Sequence, residues 1–209
     1  MSSDNPNFTL DAGENPLTIP SLGSETNPFG DLKLTASNLI LEGNVYSNSS
    51  ILIDAAMSIS ANTTINSLNG VGGITLLGAV TAKSGNPSLN LNAISGATNV
   101  NSLGSDGAPL GAVSLIGNTV YLSGNIASIS SIDISGPVKL ITSSILRGDK
   151  GITLDQDLAS NADAVDLTLQ ASSGTISVKN LGTDVAPLKN ISIISTGLLD
   201  WKYYILGKY

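Results

Sequence analysis

A block of 14 residues occurs three times along this chain and constrains its fold more than any other feature. It reads SLGSETNPFGDLKL from Ser21 to Leu34, SLGSDGAPLGAVSL from Ser102 to Leu115 and NLGTDVAPLKNISI from Asn180 to Ile193. The copies are 81 and then 78 residues apart. A fixed internal period is the signature of repeat architectures, in which each unit packs mainly against its neighbours. The chain is therefore predicted to consist of stacked units of roughly 80 residues.

The residues that flank the block repeat as well, and they define the limits of each unit. At the spacing of 78, Ile74 matches Ile152 and Leu91 matches Leu169. After Ile65 the seven residues NSLNGVG are replaced in the next unit by the four residues RGDK, as expected for a turn. We predict a leader or N-terminal cap at 1–20, unit 1 at 21–101, unit 2 at 102–179, the start of unit 3 at 180–197 and a C-terminal cap or truncated end at 198–209.

Within each unit, apolar and polar residues alternate in short runs, as in Ile51 to Ile53, Leu89 to Leu91 and Ile132 to Ile134. This period of two predicts β-strands, and the Gly, Asn, Asp and Ser residues between the runs favour corners. Aromatic residues make up 4% of the chain, which favours a thin aliphatic core. The predicted fold is an all-β, right-handed parallel β-helix, or solenoid, with coils of about 20 to 25 residues and three or four coils per unit. A tandem array of β-sandwich repeats is the alternative.

Composition excludes several classes of function. The formal net charge of -7 would repel a phosphate backbone, so nucleic acid is not an expected partner. The chain has no cysteine and no histidine, which rules out thiolate metal sites and the Ser/His/Asp and Cys/His catalytic arrangements. It has no apolar run of the ~18 residues needed for a transmembrane helix, and residues 1–10 do not form a secretory signal. If the protein is exported, we expect its signal to lie outside this chain.

Three motifs resemble the β-strand repeats of filamentous-haemagglutinin-like adhesins and other large bacterial surface proteins. They are GITL from Gly73 to Leu76, LNLNAISG from Leu89 to Gly96 and GSDGAPL from Gly104 to Leu110, and the resemblance covers about 20–196. It implies a non-enzymatic structural and adhesive segment of a secreted protein, located at the cell surface or outside the cell. Such a segment acts as a stiff stalk or fibre with weak multivalent binding. The implied partners are glycans or proteins on host or neighbouring cells, and flanking repeats of the same protein.

An acidic cluster in unit 2 is the first candidate for chemistry. The cluster gathers five of the 13 aspartates, namely Asp149, Asp155, Asp157, Asp163 and Asp166. The last four are candidate oxygen ligands for Ca²⁺, and a pair of these carboxylates could serve a polysaccharide lyase or hydrolase on the same scaffold. The simpler interpretation is a set of solvated turn residues. In unit 1 the equivalent positions include Leu77, Ala79 and Gly85, so the repeat does not need the acids to fold.

The shortened turn of unit 2 supplies the second candidate. Arg147, Gly148 and Asp149 form an RGD tripeptide there, and its two charged side chains could project towards a receptor. The same residues are ordinary turn chemistry, since Gly and Asp both favour turns.

Overall fold

The computed structural model describes residues 5–69, 72–161 and 163–201. These residues form twenty β-strands, and no helix occurs among them. The strands are β1 Phe8–Asp11, β2 Leu17–Ile19, β3 Leu32–Leu41, β4 Val45–Ser47, β5 Ile51–Ile59, β6 Thr63–Ser67, β7 Ile74–Leu76, β8 Val80–Ala82, β9 Leu89–Val100, β10 Val113–Leu122, β11 Ile126–Ser128, β12 Ser131–Ser135, β13 Val138–Leu140, β14 Ser144–Gly148, β15 Gly151–Leu154, β16 Leu158–Ser160, β17 Leu167–Ala171, β18 Thr175–Val178, β19 Ile191–Ser195 and β20 Leu199–Trp201.

The strands wind into a parallel β-solenoid of about eight turns with three faces. On each face, inward positions of successive turns pair in parallel, and four long strands, β3, β5, β9 and β10, bend round a corner to join two faces. Face A is the column Phe8, Leu32, Ile51, Ile74, Thr98, Val120, Val138, Leu158 and Leu181. Face B is the column Leu17, Leu39, Met57, Val80, Leu103, Ile126, Leu146, Leu169 and Ile193. Face C is the column Leu22, Val45, Ile65, Leu91, Leu115, Ile134, Leu154 and Val178.

The prediction of an all-β parallel solenoid is confirmed. Successive rungs of one face are about 22 residues apart, from 18 between Val120 and Val138 to 26 between Ile65 and Leu91. The strand pairs of the described residues are parallel, whereas the sandwich alternative requires antiparallel sheets. The inward Leu, Ile and Val side chains form one continuous buried cluster, because each rung buries its apolar residues against the rungs above and below.

The two terminal segments take part in this stack. Strands β1 and β2 lie within 1–20, the predicted leader or cap, and form the first rungs of faces A and B. Strand β20 lies within 198–209, the predicted C-terminal cap, and pairs with β18 as the last rung of face C. The remainder of that predicted cap, 202–209, is outside the described residues.

The sequence repeat and the turns of the solenoid have different periods. Leu22, Leu103 and Leu181 occupy equivalent positions in the three blocks, yet they lie on faces C, B and A respectively. Along the chain each lies eleven inward rungs after the one before, which is three and two-thirds turns. Each unit is therefore rotated by one third of a turn about the axis relative to the preceding unit.

Equivalent segments keep the same local structure although their faces differ. In the three blocks the hydroxyls of Ser24, Ser105 and Thr183 accept a hydrogen bond from the backbone N–H three residues later, at 3.1, 3.1 and 3.0 Å. Ser47 and Ser128, which are 81 residues apart, are both buried. Each donates to the carbonyl three residues later at 3.2 Å. Equivalent segments of the repeat therefore adopt the same local hydrogen bonding on different faces of the solenoid.

Candidate functional site

Face B carries a groove of about 400 Å³ beside the turn that contains Ser105 and Asp106. The inward residues Leu103 and Ile126 stack on successive rungs of face B, and the residue after each points outward. These two outward residues, Gly104 and Ala127, are small and form the floor of the groove. On the two adjoining rungs the same outward ladder carries larger side chains, Thr81 and Arg147. The groove therefore results from two small residues stacked between two larger ones.

Gly104 is required at the floor for two reasons. Its φ of +71° lies in the left-handed region that favours glycine. A Cβ at this position would also collide with the backbone carbonyl oxygen of Ala127. The chain can therefore leave the strand of face B at this point and enter the projecting turn only with glycine here.

An ion pair spans the groove. Nη1 of Arg147 lies 2.5 Å from Oδ1 of Asp106, which joins strand β14 to the turn. The Arg147 side chain is 25% exposed and that of Asp106 is 88% exposed. Nε of Arg147 is buried without a hydrogen-bond partner among the described residues and lies 4.0 Å from Oδ1 of Asp149. An ion pair with one largely exposed partner contributes little to stability, about 0–1 kcal/mol. The carboxylate of Asp106 is the part of the pair that another molecule can reach most easily, because it is 88% exposed.

Backbone hydrogen bonds hold the polar side chains of the groove wall in place. Oδ1 of Asn125 accepts from the backbone N–H of Ile145 at 2.9 Å, and the Ser102 hydroxyl accepts from the backbone N–H of Asn125 at 3.3 Å. Gln170 completes the lining on the next rung.

The combination of residues in this groove differs between unit 1 and unit 2. In unit 1 the positions of Asp106, Ala127 and Arg147 are occupied by Glu25, Tyr46 and Asn66. A tyrosine thus replaces the small residue of the floor, and an amide replaces the cation. Sequence reasoning did not find this site, although the exchange of tyrosine for alanine between aligned units was a signal that could have found it.

The structure gives the RGD tripeptide a specific setting. Arg147 and Gly148 are the last two residues of strand β14, and Gly148 is buried. Asp149 follows in the turn, where its carboxylate accepts from the Ser172 hydroxyl at 3.1 Å. The guanidinium lines the groove, where its Nη1 pairs with Asp106 and its Nε lies 4.0 Å from the Asp149 carboxylate.

The candidate calcium ligands lie at two corners of the solenoid, where each of three has its own neighbour. Asp155 accepts from the Ser135 hydroxyl at 2.6 Å and from the backbone N–H of Gly136 at 3.0 Å. Asp157 accepts from the Asn180 amide at 2.8 Å, and Asp166 from the Asn190 amide at 2.7 Å. Asp163 is exposed in a bend. Across the described ranges, no three acidic side chains are placed together to hold a metal ion.

One carboxyl group outside the groove has a perturbed acidity. Asp31 accepts from the hydroxyl of Ser50 at 2.7 Å and from its backbone N–H at 3.2 Å. Hydrogen bonds from the side chains of Ser50 and Ser49, and from the Ser50 backbone, lower the pKa of Asp31 below its ordinary value of 3.8, since they stabilise the ionised form.

No family model, curated protein or solved structure matches this chain. None of the described elements is a helix able to cross a membrane.

Proposed function

We propose that this chain is a non-enzymatic structural and adhesive segment of a secreted bacterial surface protein, in which it acts as a stiff spacer with weak, multivalent contacts. The observation that carries the proposal is the aliphatic core, which continues through all three faces and across the unit boundaries. A solenoid without an internal break transmits force along its axis. The resemblance of its motifs to filamentous-haemagglutinin-like repeats supports the same function.

The stiffness comes from the backbone. Parallel strands place their hydrogen bonds along the solenoid axis, at a spacing of about 4.8 Å per turn. Eight turns therefore span roughly 38 Å, and every turn is tied to the next on three faces. Because each turn contacts mainly its neighbours, the load is shared by many equivalent bonds and does not depend on any one residue.

The outward ladders suit weak contacts repeated many times. Outward positions of face B carry hydroxyl and amide groups at Thr18, Ser58, Thr81 and Gln170, and charged residues make up 12% of the chain. We propose that these surfaces meet glycans or proteins on host or neighbouring cells, and that flanking repeats extend the fibre. Since each unit is rotated by one third of a turn, such contacts would be distributed around the fibre.

Single-molecule pulling tests the spacer. Force applied to the two ends of the chain should extract turns in sequence, in steps of about 22 residues, because neighbouring turns are the cooperative unit. A single all-or-none extension at low force would contradict the proposal.

A second experiment tests adhesion and the absence of catalysis. Beads coated densely with the chain should be retained on a glycan array, sparsely coated beads should be released, and no new reducing ends or unsaturated sugars should appear. Turnover of a soluble glycan without retention would overturn the proposal in favour of a polysaccharide lyase or hydrolase.

Surface location is tested separately. Antibodies against the chain should stain intact cells of the source organism, and external protease should remove the signal. Staining that requires permeabilised cells would refute this part of the proposal.

A further inference from the structure

We propose that the groove of face B, which is floored by Gly104 and Ala127 and crossed by the ion pair of Asp106 and Arg147, binds a short uncharged oligosaccharide. This inference rests on the proposed function, because it assigns one of the adhesive contacts to a particular site.

The shape of the groove fits a chain of sugar rings. Its volume of about 400 Å³ lies within the range of small-ligand sites, about 300–1,000 Å³. The floor lacks large side chains, since Gly104 and Ala127 occupy successive rungs of one ladder. Ile145 is 46% exposed and forms an apolar patch at one end of the groove, and Ser102 and Asn125 separate it from Ala79 on the same ladder. The C–H face of a pyranose ring can pack on such a patch while its hydroxyls face the polar wall.

The polar groups of the groove match hydroxyls better than they match a charged ligand. The carboxylate of Asp106 offers acceptors and the guanidinium of Arg147 offers donors in a planar fork, as neighbouring sugar hydroxyls require. The two charges oppose each other at 2.5 Å, so the pair adds no net charge to the groove. Thr81, Ser102 and Gln170 supply further uncharged groups.

The net charge of the whole chain also favours an uncharged ligand. With a net charge of -7, the protein repels polyanions such as uronic-acid polymers, and the groove has a single cation that is already paired. A neutral saccharide meets no such repulsion. Because its affinity depends on hydrogen bonds and ring packing, we expect binding to change little with salt concentration.

Unit 1 provides a natural template for a test. Tyr46 and Asn66 occupy the positions of Ala127 and Arg147 in the same local structure, next to the equivalent glycine, Gly23. Ala127→Tyr should therefore fill the groove without unfolding the chain, and Arg147→Asn should remove the cation and its pairing. Thr75→Tyr on face A is the matched control, since face A already carries Tyr121 at an outward position.

The experiment measures retention of the intact chain on an array printed with neutral gluco-, manno- and galacto-oligosaccharides and with their uronic-acid counterparts. We expect wild type and Thr75→Tyr to bind one neutral series equally, and Ala127→Tyr and Arg147→Asn each to lose about tenfold or more in apparent affinity. Urea denaturation of each variant confirms that it is folded. If Ala127→Tyr unfolds, Arg147→Asn decides the question.

Three results would overturn the inference: unchanged binding by a folded Ala127→Tyr or Arg147→Asn variant, preference for the uronic-acid series, and no binding of wild type to any neutral series. None of them affects the sequential extension of turns under force. A chain that binds through the groove but extends in one step would instead contradict the spacer proposal and support the binding site. The two failures are thus distinguishable.

Discussion

Replacing Leu91 by alanine tests the idea that stability is local to neighbouring rungs. Leu91 is completely buried on face C between Ile65 and Leu115. The substitution removes three carbon atoms, worth roughly 2.4 kcal/mol at about 0.8 kcal/mol for each buried CH₂ group. The cavity left behind adds to this loss, so we expect the free energy of unfolding to fall by about 3–4 kcal/mol, within the range of ~2–5 kcal/mol for such changes.

The repeat offers a matched partner for this experiment. Leu169 is the equivalent residue 78 positions later, and it is also completely buried. It lies near the C-terminal end of face B, however, with one further described rung, Ile193, beyond it. Because each rung contacts mainly its neighbours, Leu169→Ala should loosen the C-terminal turns alone, whereas Leu91→Ala should weaken the middle of the stack.

Hydrogen exchange followed by mass spectrometry separates these outcomes turn by turn. In Leu169→Ala, peptides from β3 and β5 should exchange as in wild type, while those from β17 and β19 exchange faster. Leu77→Ala is the control, because Leu77 is 51% exposed and its replacement should change stability by less than about 0.5 kcal/mol. Faster exchange across the whole chain in Leu169→Ala, or a loss below about 1 kcal/mol in Leu91→Ala, would refute the reasoning.

Three further predictions concern single contacts. Gly104→Ala should lower the free energy of unfolding by about 1–3 kcal/mol in urea denaturation, because φ is positive there and a Cβ meets the Ala127 carbonyl. Gly107→Ala is the control and should have little effect, since the space around Gly107 is open; equal effects of the two substitutions would contradict this prediction. Ser50→Ala should raise the pKa of Asp31 towards 3.8 in a carboxyl NMR titration. The ionised carboxylate of Asp31 stabilises the fold above pH 3.8, and this contribution is lost as the pH falls through the lowered pKa. The free energy of unfolding of Ser50→Ala should therefore rise less than that of wild type between acid and neutral pH. An unchanged titration of Asp31 would rule out the Ser50 hydrogen bond as the cause of its lowered pKa. Asp155→Asn should leave the circular dichroism spectrum unchanged and alter stability by less than about 0.5 kcal/mol, since an amide oxygen can still accept from Gly136; unfolding would disprove this.

Local pattern was sufficient to predict most of the fold. The alternation from Leu89 to Leu91 predicted a strand, and the structure buries Leu89 and Leu91 on the same side of it, because side chains of a strand point to opposite sides in turn. A turn was predicted at RGDK from the length change between units, but the structure has it only at Asp149 and Lys150, because Arg147 and Gly148 end strand β14. The acidic cluster was predicted as a candidate site from closeness in sequence. The structure distributes those residues over three corners, with Asp149 after β14, Asp155 and Asp157 after β15, and Asp163 and Asp166 after β16, since neighbouring positions on a tight coil point in different directions.

The amino-acid sequence by itself determined the strands, their inward side chains and the coil length, because each of these depends on the period of two and on turn residues within about one coil. Tertiary structure decided which strands, and which residues within them, stack on one another along each face. The lengths of all intervening coils set that register, and they bring Gly104, Ala127 and Arg147 onto successive rungs although 23 and 20 residues separate them. The groove and the one-third rotation of each unit are properties of this stacking, which no local stretch of sequence contains.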